Sequence, residues 1–542
     1  MDKRIKYGIL ALIAIIVIVV AASSLLGNTA DDDPTHIVVT APGHLGEPES
    51  GFNPLADWGC GHMNFNPLIQ STLLASDEDG EFVNDLATDY KISSDGLTWT
   101  VGVRDDVVFS NGDPLTAKDV AFTFNEAAKG ASMLDMSNLE SATAIDDNTV
   151  EFKLKTPQSS FVYNLRYVGI VPEKGYDNAT YGSNPIGSGP YKLKQWDKGQ
   201  QAIFEYNDKY YGDKPYFTQI TMLFPNEDTA FDLVKSGKAD VVQAPYTSLS
   251  ESVDGYNLVD YPSARVQGMS LPYLPDTGKT TDNGHPVGNN VTSDIAIRKA
   301  LNIGIDRESI VEDVYKGHAK AEYTGADQLP FANEAGKIKD NNQDEAKKIL
   351  ENAGWVDTDG DGIREKDGQK ASFKVYYVSD DQVRQSLATV LSEEAKELGI
   401  DIKLEGADWD VIGENMYSQA VMLQASSQDP YTNTYLQYHS KDVFEEEDFN
   451  NIMGYNNPEV DSILEQALSS SSVDQSNSLW SKAAYTGSGS GFGPAGDAPM
   501  VWTSNYDFCY FVKDDIDMGA APKMGQDYME KILTWTRNTT ES

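Results

Sequence analysis

Apolar and polar positions divide the chain into an N-terminal segment and a long patterned region. Lys3, Arg4 and Lys6 precede an uncharged apolar run from Gly8 to Gly27. At about 1.5 Å rise per residue such a run would reach about 30 Å, the thickness of a bilayer's hydrocarbon. It reads as an uncleaved anchor or as a cleaved signal ending near Ala21-Ala22-Ser23, with the basic flank in the cytoplasm and the remainder outside. Asp31-Asp32-Asp33-Pro34 then reads as a solvated tether.

His36–Thr40 opens the patterned region as a short strand, and Trp99–Val103 and Thr149–Leu154 alternate with the period of half-buried strands. Between them, Asn111–Pro114 is a turn, and Thr116 caps a helix that begins near Ala117. Pro185–Pro190 (PIGSGP) is too rich in Gly and Pro for regular structure and reads as a hinge or crossing turn before a strand at Tyr191. Strands are predicted at Gln219–Phe224, Asp240–Val242, Ser372–Val378 and Ile400–Leu404, and helices at Thr229–Ser236, Arg298–Val314, Asp344–Ala353 and Gln382–Leu398. Alternation of the two over short links indicates mixed α/β sheets. Ser469–Ser472 and the Gly-rich Thr486–Gly496 are low-complexity connections.

Composition narrows the function. Acids outnumber bases 84 to 42 over 542 residues, for a formal charge of −42. Such a surface repels phosphates, which excludes nucleic-acid and polybasic membrane binding. Only Cys60 and Cys509 are present, too few for a disulfide scaffold or an iron–sulfur site. Asp357, Asp359, Asp361 and Glu365 occupy positions 1, 3, 5 and 9 of a calcium-type loop, but Gly368 stands where the bidentate Glu belongs. A bound Ca²⁺ and a solvated turn are the two readings of that loop.

Several segments, in order, resemble the family 5 extracellular solute-binding proteins of ABC importers, the oligopeptide-, dipeptide- and nickel-binding group. They are Asp85–Phe124, Ile186–Leu193 (IGSGPYKL), Asn207–Tyr216 (NDKYYGDKPY), Phe231–Val242 (FDLVKSGKADVV), Ile297–His318 and Ala346–Gly368. The resemblance implies a two-lobe, hinged α/β fold of the periplasmic-binding-protein type, in its large three-domain form. After an anchor or signal at 1–30 and a tether at 31–35, the first lobe would comprise 36–70, 186–272 and 495–540. An inserted domain would span 71–185 and the second lobe 273–494. Both cysteines would then fall in the first lobe, where an oxidising compartment permits a disulfide, two separate thiols being the alternative.

The same resemblance points to ligand contacts. Met63 falls where nickel-binding members place a methionine near the metal, just before a helix expected at Pro67–Leu74, with Cys60 and His62 beside it. Arg166 falls near an arginine that clamps a ligand carboxylate, a role suited to a guanidinium. Ser426, Gln428 and Asp429 match a second-lobe segment. There Ser426 replaces the acid that pairs with a peptide's ammonium, and Gln424 replaces an expected aromatic. His439 sits near a histidine that nickel-type members bring to the metal. The implied protein is no enzyme and requires no cofactor. It is a monomer at the extracellular face of the cell membrane, anchored or secreted, that captures a small peptide or nickel chelate by lobe closure and delivers it to the permease and ATPase subunits. The rival reading is a secreted glycosidase-like hydrolase, although neither His-Glu-x-x-His nor Gly-x-Ser-x-Gly occurs.

Overall fold

The computed structural model describes residues 33–41, 47–56, 68–77, 80–130, 136–442, 450–521 and 528–538. The sequence-predicted anchor therefore lies outside the described residues, among which no helix is long and apolar enough to cross a membrane.

Two large mixed sheets and a smaller antiparallel one organise the chain. The seven-stranded sheet runs in the order Tyr256–Tyr261, Phe508–Lys513, Val241–Gln243, His36–Thr40, Gln219–Leu223, Gln201–Tyr206, Tyr191–Asp197. His36–Thr40 pairs in parallel with both neighbours. Its Ile37, Val38 and Val39 are all buried, as expected of a strand covered on both faces. The six-stranded sheet runs Ala319–Ala321, Met500–Tyr506, Val266–Ser270, Ala420–Ala425, Ser372–Val378, Asp401–Ala407. Helix Gln382–Glu397 packs on its parallel edge pair, capped by Asp381.

The four-stranded antiparallel sheet joins Ala87–Ile92, Thr98–Val103, Thr149–Leu154 and Leu139–Asp146. The predicted alternation is realised, with Trp99, Val101 and Val103 facing the core. Helix Ala117–Ala127 covers that face. Its Thr116 caps the first turn, and Asp119 answers by accepting from the Thr116 N–H at 2.9 Å.

Two expectations need correction. The single helix predicted over Arg298–Val314 is two, Ile295–Gly304 and Arg307–Tyr315, because Asp306 takes an extended conformation and caps the second by accepting from Ser309 N–H. The helix expected at Pro67–Leu74 does not form over Leu68–Leu74. The carbonyls of Leu68 and Ile69 instead accept from the N–H groups of Tyr191 and Gly189 at 3.0 and 2.7 Å.

The chain passes directly between the two large sheets twice. Residues 262–265 link Tyr256–Tyr261 to Val266–Ser270, and Asp507 alone links Met500–Tyr506 to Phe508–Lys513. These passages lie inside the boundaries expected at 272 and 495. They are stitched together, since Ser263 Oγ donates to the Tyr506 carbonyl at 2.6 Å and Asn505 Nδ2 donates to the carbonyls of Ser263 and Arg265. The Pro185–Pro190 turn, by contrast, carries the chain into the edge strand Tyr191–Asp197 of the seven-stranded sheet.

That turn is glycine-rich because backbone lies against backbone. A Cβ on Gly187 would sit 1.9 Å from the Ile69 carbonyl oxygen, whereas one on the helical Gly413 would meet nothing within 4 Å. Gly187→Ala should therefore cost at least about 1–3 kcal/mol by overpacking, while Gly413→Ala should be neutral or stabilising by up to about 1 kcal/mol. Thermal unfolding of the two variants checks this. Equal melting temperatures would contradict the close approach.

Candidate functional site

Helix Phe161–Tyr167 is buried along its whole length, and that places a guanidinium inside the protein: Arg166 is 1% exposed. A charge removed from water must be met by acceptors. Arg166 Nη1 donates to Gln428 Oε1 at 2.8 Å, and Nη2 lies 3.6 Å from the equally buried Glu530 carboxylate. The guanidinium also packs over the Tyr167 ring at 5.2 Å. Three segments remote in sequence thus converge on one cation. The helix's own N-terminal approach is tied to a later segment as well, with Ser159 N–H donating to the Leu468 carbonyl at 2.8 Å and Ser159 Oγ bonded to Ser476 Oγ at 2.7 Å.

The Gln428 partner is held by its own turn. Asp429 Oδ1 accepts from Tyr431 N–H, and Asn433 Nδ2 donates to the carbonyls of Ser427 and Gly325. Beyond it, Tyr431, Tyr435 and His439 form a continuous stack with centroids 5.3 and 4.6 Å apart. His439 Nδ1 accepts from Lys441 N–H, leaving Nε2 to face Glu465 at 3.3 Å. Both ring nitrogens thus have partners on neighbouring residues of the chain. Gln424 accepts from Tyr506 Oη and Gln267 Nε2, beside the sheet-to-sheet passage.

A cavity of about 240 Å³ adjoins Glu530, lined by Gln70, Ser71, Thr72, Asp85 and Tyr210 among others. Asp85 accepts from Tyr211 Oη at 2.5 Å, and burial raises its carboxyl above the usual aspartate range. A second buried acid, Glu322, stands three residues before Gly325, whose carbonyl Asn433 reaches. Glu322 is wholly inaccessible, and its Oε1 accepts from Asp327 N–H at 2.7 Å. Burial first, and the Asp327 carboxylate next, push the Glu322 carboxyl up to about 8.

The acidic loop converges as its spacing suggested: oxygens of Asp357, Asp359, Asp361 and Glu365 lie within 4.8 Å of one another. The Lys370 ammonium sits among them, pairing with Asp359 at 3.1 Å, with Glu365 at 3.4 Å and with Asp361. Asp357 is spent on the N–H groups of Gly360 and Gly362.

Of the residues singled out from sequence, Arg166, Gln428 and Asp429 meet at one junction, and Ser426 lies on the same turn. Asp429 adds negative potential at the neighbouring Tyr163 and Tyr167. His439 lies one stack away, and Cys60, His62 and Met63 lie outside the described residues. Glu530 was missed. Its only signal is the requirement that a buried arginine find a carboxylate, which does not say which acid answers.

Comparison with known proteins places this architecture. Residues 81–445 match the model of the bacterial extracellular solute-binding proteins, family 5. Protein XP55 of Streptomyces lividans is 34% identical over 440 residues, covering 78% of this chain and 76% of its own. Oligopeptide-binding protein AppA of Bacillus subtilis is 29% identical, covering 80% and 81%. The crystal structure of NikZ from Campylobacter jejuni, in complex with Ni(L-His), superimposes with a TM-score of 0.73 at 22% identity, over 93% of this chain and all of that one.

Glu322 yields a pH signature. Its folded value of about 8 exceeds the ordinary 4.5, so the folded state keeps a proton that the unfolded state releases. The associated stability is complete below about 4.5 and is lost as pH rises toward 8, each tenfold in proton affinity being worth about 1.4 kcal/mol. Glu394, pushed up to about 7 by burial, acts in the same sense. Melting temperature against pH should therefore fall less steeply between pH 5 and 8 in Glu322→Gln than in the wild type. Parallel slopes would show that Glu322 ionises freely.

Proposed function

Given that the chain belongs to the bacterial extracellular solute-binding proteins of family 5, we propose that it captures a small carboxylate-bearing peptide or metal chelate at the Arg166 junction. Members of this family bind solutes for ABC importers and are not enzymes, so the hydrolase reading falls away. The chain acts outside the cytoplasm and hands its ligand to a permease driven by ATPase subunits. Location at the membrane through residues 1–30, and action as a monomer, belong to the proposal.

The observation that carries the ligand assignment is a buried guanidinium whose carboxylate partner comes from the chain itself. Glu530 stands 3.6 Å from Arg166 Nη2, longer than a charge-assisted hydrogen bond. A ligand carboxylate that reached hydrogen-bonding distance would be the better partner. Gln428, already bound to Nη1, would hold the fork in position. With Ser426 in place of an ammonium-pairing acid, recognition rests on the ligand's carboxylate more than on a free amine. A nickel–histidine chelate and a short peptide both present that group. Among the residues outside those described, Met63 is the proposed soft contact, with His62 and Cys60 beside it. Asp429 stays on the protein side by supporting the turn. His439 would reach a metal only after giving up Lys441 N–H or Glu465. Calcium at the acidic loop would have to displace Lys370, and no step of the proposed function passes through it.

Closure follows from the same geometry. The Arg166 helix and the Gln428 turn touch in this structure, so ligand enters when they part and favours the state in which they meet. Solution scattering should show a smaller radius of gyration with saturating ligand than without it; an unchanged radius would contradict closure.

Arg166→Ala should weaken nickel–histidine or dipeptide binding roughly ten- to a hundredfold, the loss of about 1.5–3 kcal/mol for a hydrogen bond to a charged group. Glu530→Gln separates ligand anchoring from a purely internal strut. If Arg166 anchors the ligand, removing its competitor tightens binding in calorimetry. If Glu530→Gln only lowers stability and leaves affinity unchanged, Arg166 serves the fold and the ligand is held elsewhere.

A further inference from the structure

Asp260 and Cys509 stand directly opposite one another on the antiparallel strands Tyr256–Tyr261 and Phe508–Lys513. Beside them comes His318, just after helix Arg307–Tyr315, where Lys316 takes a left-handed conformation and the His318 carbonyl accepts from Asp507 N–H at 3.1 Å. Its Nδ1 lies 2.7 Å from Asp260 Oδ1, and one ligand atom from each of the three residues falls within 4.8 Å of the others. We infer that Asp260, His318 and Cys509 form a binding site for a divalent transition ion of the zinc, cobalt or nickel type.

The donor set argues for that class. A thiolate, an imidazole and a carboxylate together suit a borderline-soft ion and match neither calcium nor magnesium, which take oxygens. Bonds of about 2.0–2.3 Å around a tetrahedral ion hold its ligands roughly 3.2–3.8 Å apart. Of the three pairs, His318 and Asp260, at 2.7 Å, would separate slightly to reach that spacing. The surroundings favour a cation as well. Cys509 is a free thiol, 3% exposed, whereas the side chains of His318 and Asp260 are 20% and 43% exposed, so the site is dry at the sulfur and open at the carboxylate. Burial, with the Asp260 and Asp507 carboxylates next, holds the proton on the sulfur. An arriving ion relieves both carboxylates. Asp507 lies outside the group of three and acts on it through its charge; its buried Oδ1 has no hydrogen-bond partner among the described residues. On binding, the thiol proton leaves to solvent. For Nδ1 to take the ion, the proton that it shares with Asp260 Oδ1 has to pass to Nε2, which frees the Nδ1 lone pair.

The ion would span the passage between the sheets. Cys509 and Asp260 belong to the seven-stranded sheet, and His318 immediately precedes Ala319–Ala321 of the six-stranded one. The site is built from residues distinct from those of the Arg166 junction, so its fate is independent of the ligand proposed there.

Cobalt(II) titrated into the metal-stripped full chain is the probe, because thiolate ligation adds a near-ultraviolet charge-transfer band. The expected result is such a band saturating at one equivalent in the wild type and in Cys60→Ser, and absent in Cys509→Ser. Asp260→Asn and His318→Ala should weaken cobalt binding about ten- to a hundredfold, the usual loss for a disturbed metal shell. If Cys509→Ser fails to fold, the partly exposed His318→Ala and Asp260→Asn carry the test. A band missing from the wild type, lost in Cys60→Ser, retained in Cys509→Ser, or indifferent to both His318→Ala and Asp260→Asn would overturn the assignment.

Discussion

A single residue joins the interior of one large sheet to the interior of the other. Asp507 separates Met500–Tyr506, flanked on both sides in the six-stranded sheet, from Phe508–Lys513, flanked on both sides in the seven-stranded sheet. With so short a link, neither sheet can slide along its strand direction without dragging the other. Rotation about the passage is the motion left free, and residues 262–265 run beside it under hydrogen bonds from Ser263 and Asn505. The relative placement of everything between the lobes, the Arg166 contacts included, follows from that pair of links.

Arg166 shows how three remote segments are held in register. Its acceptors come from Gln428 and Glu530, so the cost of burying its charge is offset only when three separate parts of the chain arrive together. A buried ion pair of this type is weak evidence for stability and better evidence for specificity of arrangement. The stacked column Tyr431–Tyr435–His439 supports the Gln428 turn from behind, with His439 locked by Lys441 and Glu465.

What could be read in advance divides along the range of the forces involved. Trp99–Val103, the Thr116 cap and the helix after Asp381 depend on neighbours a few residues away, and local pattern reveals them. The break at Asp306 escaped because an aspartate inside a periodic run looks like a solvated helix face until its side chain is seen to cap. Leu68–Leu74 escaped for the opposite reason: its backbone is claimed by Gly189 and Tyr191, more than a hundred residues on. The family resemblance brought Arg166 and the Gln428 turn into view. Glu530, one of 84 acids, and the Asp260–His318–Cys509 group could not be found that way, since pairing across 58 to 364 positions leaves no periodic trace.

The acidic loop at Asp357–Glu365 carries its own counter-ion. Lys370 is delivered by the short hairpin in which Glu365 pairs directly with Lys370, so the charge that gathers Asp359, Asp361 and Glu365 is written into the same gene as the acids. The turn thereby carries, in its own sequence, one positive charge set against these carboxylates. One base change at that codon, replacing lysine by a neutral residue, would leave Asp359, Asp361 and Glu365 facing one another with their shared internal partner gone.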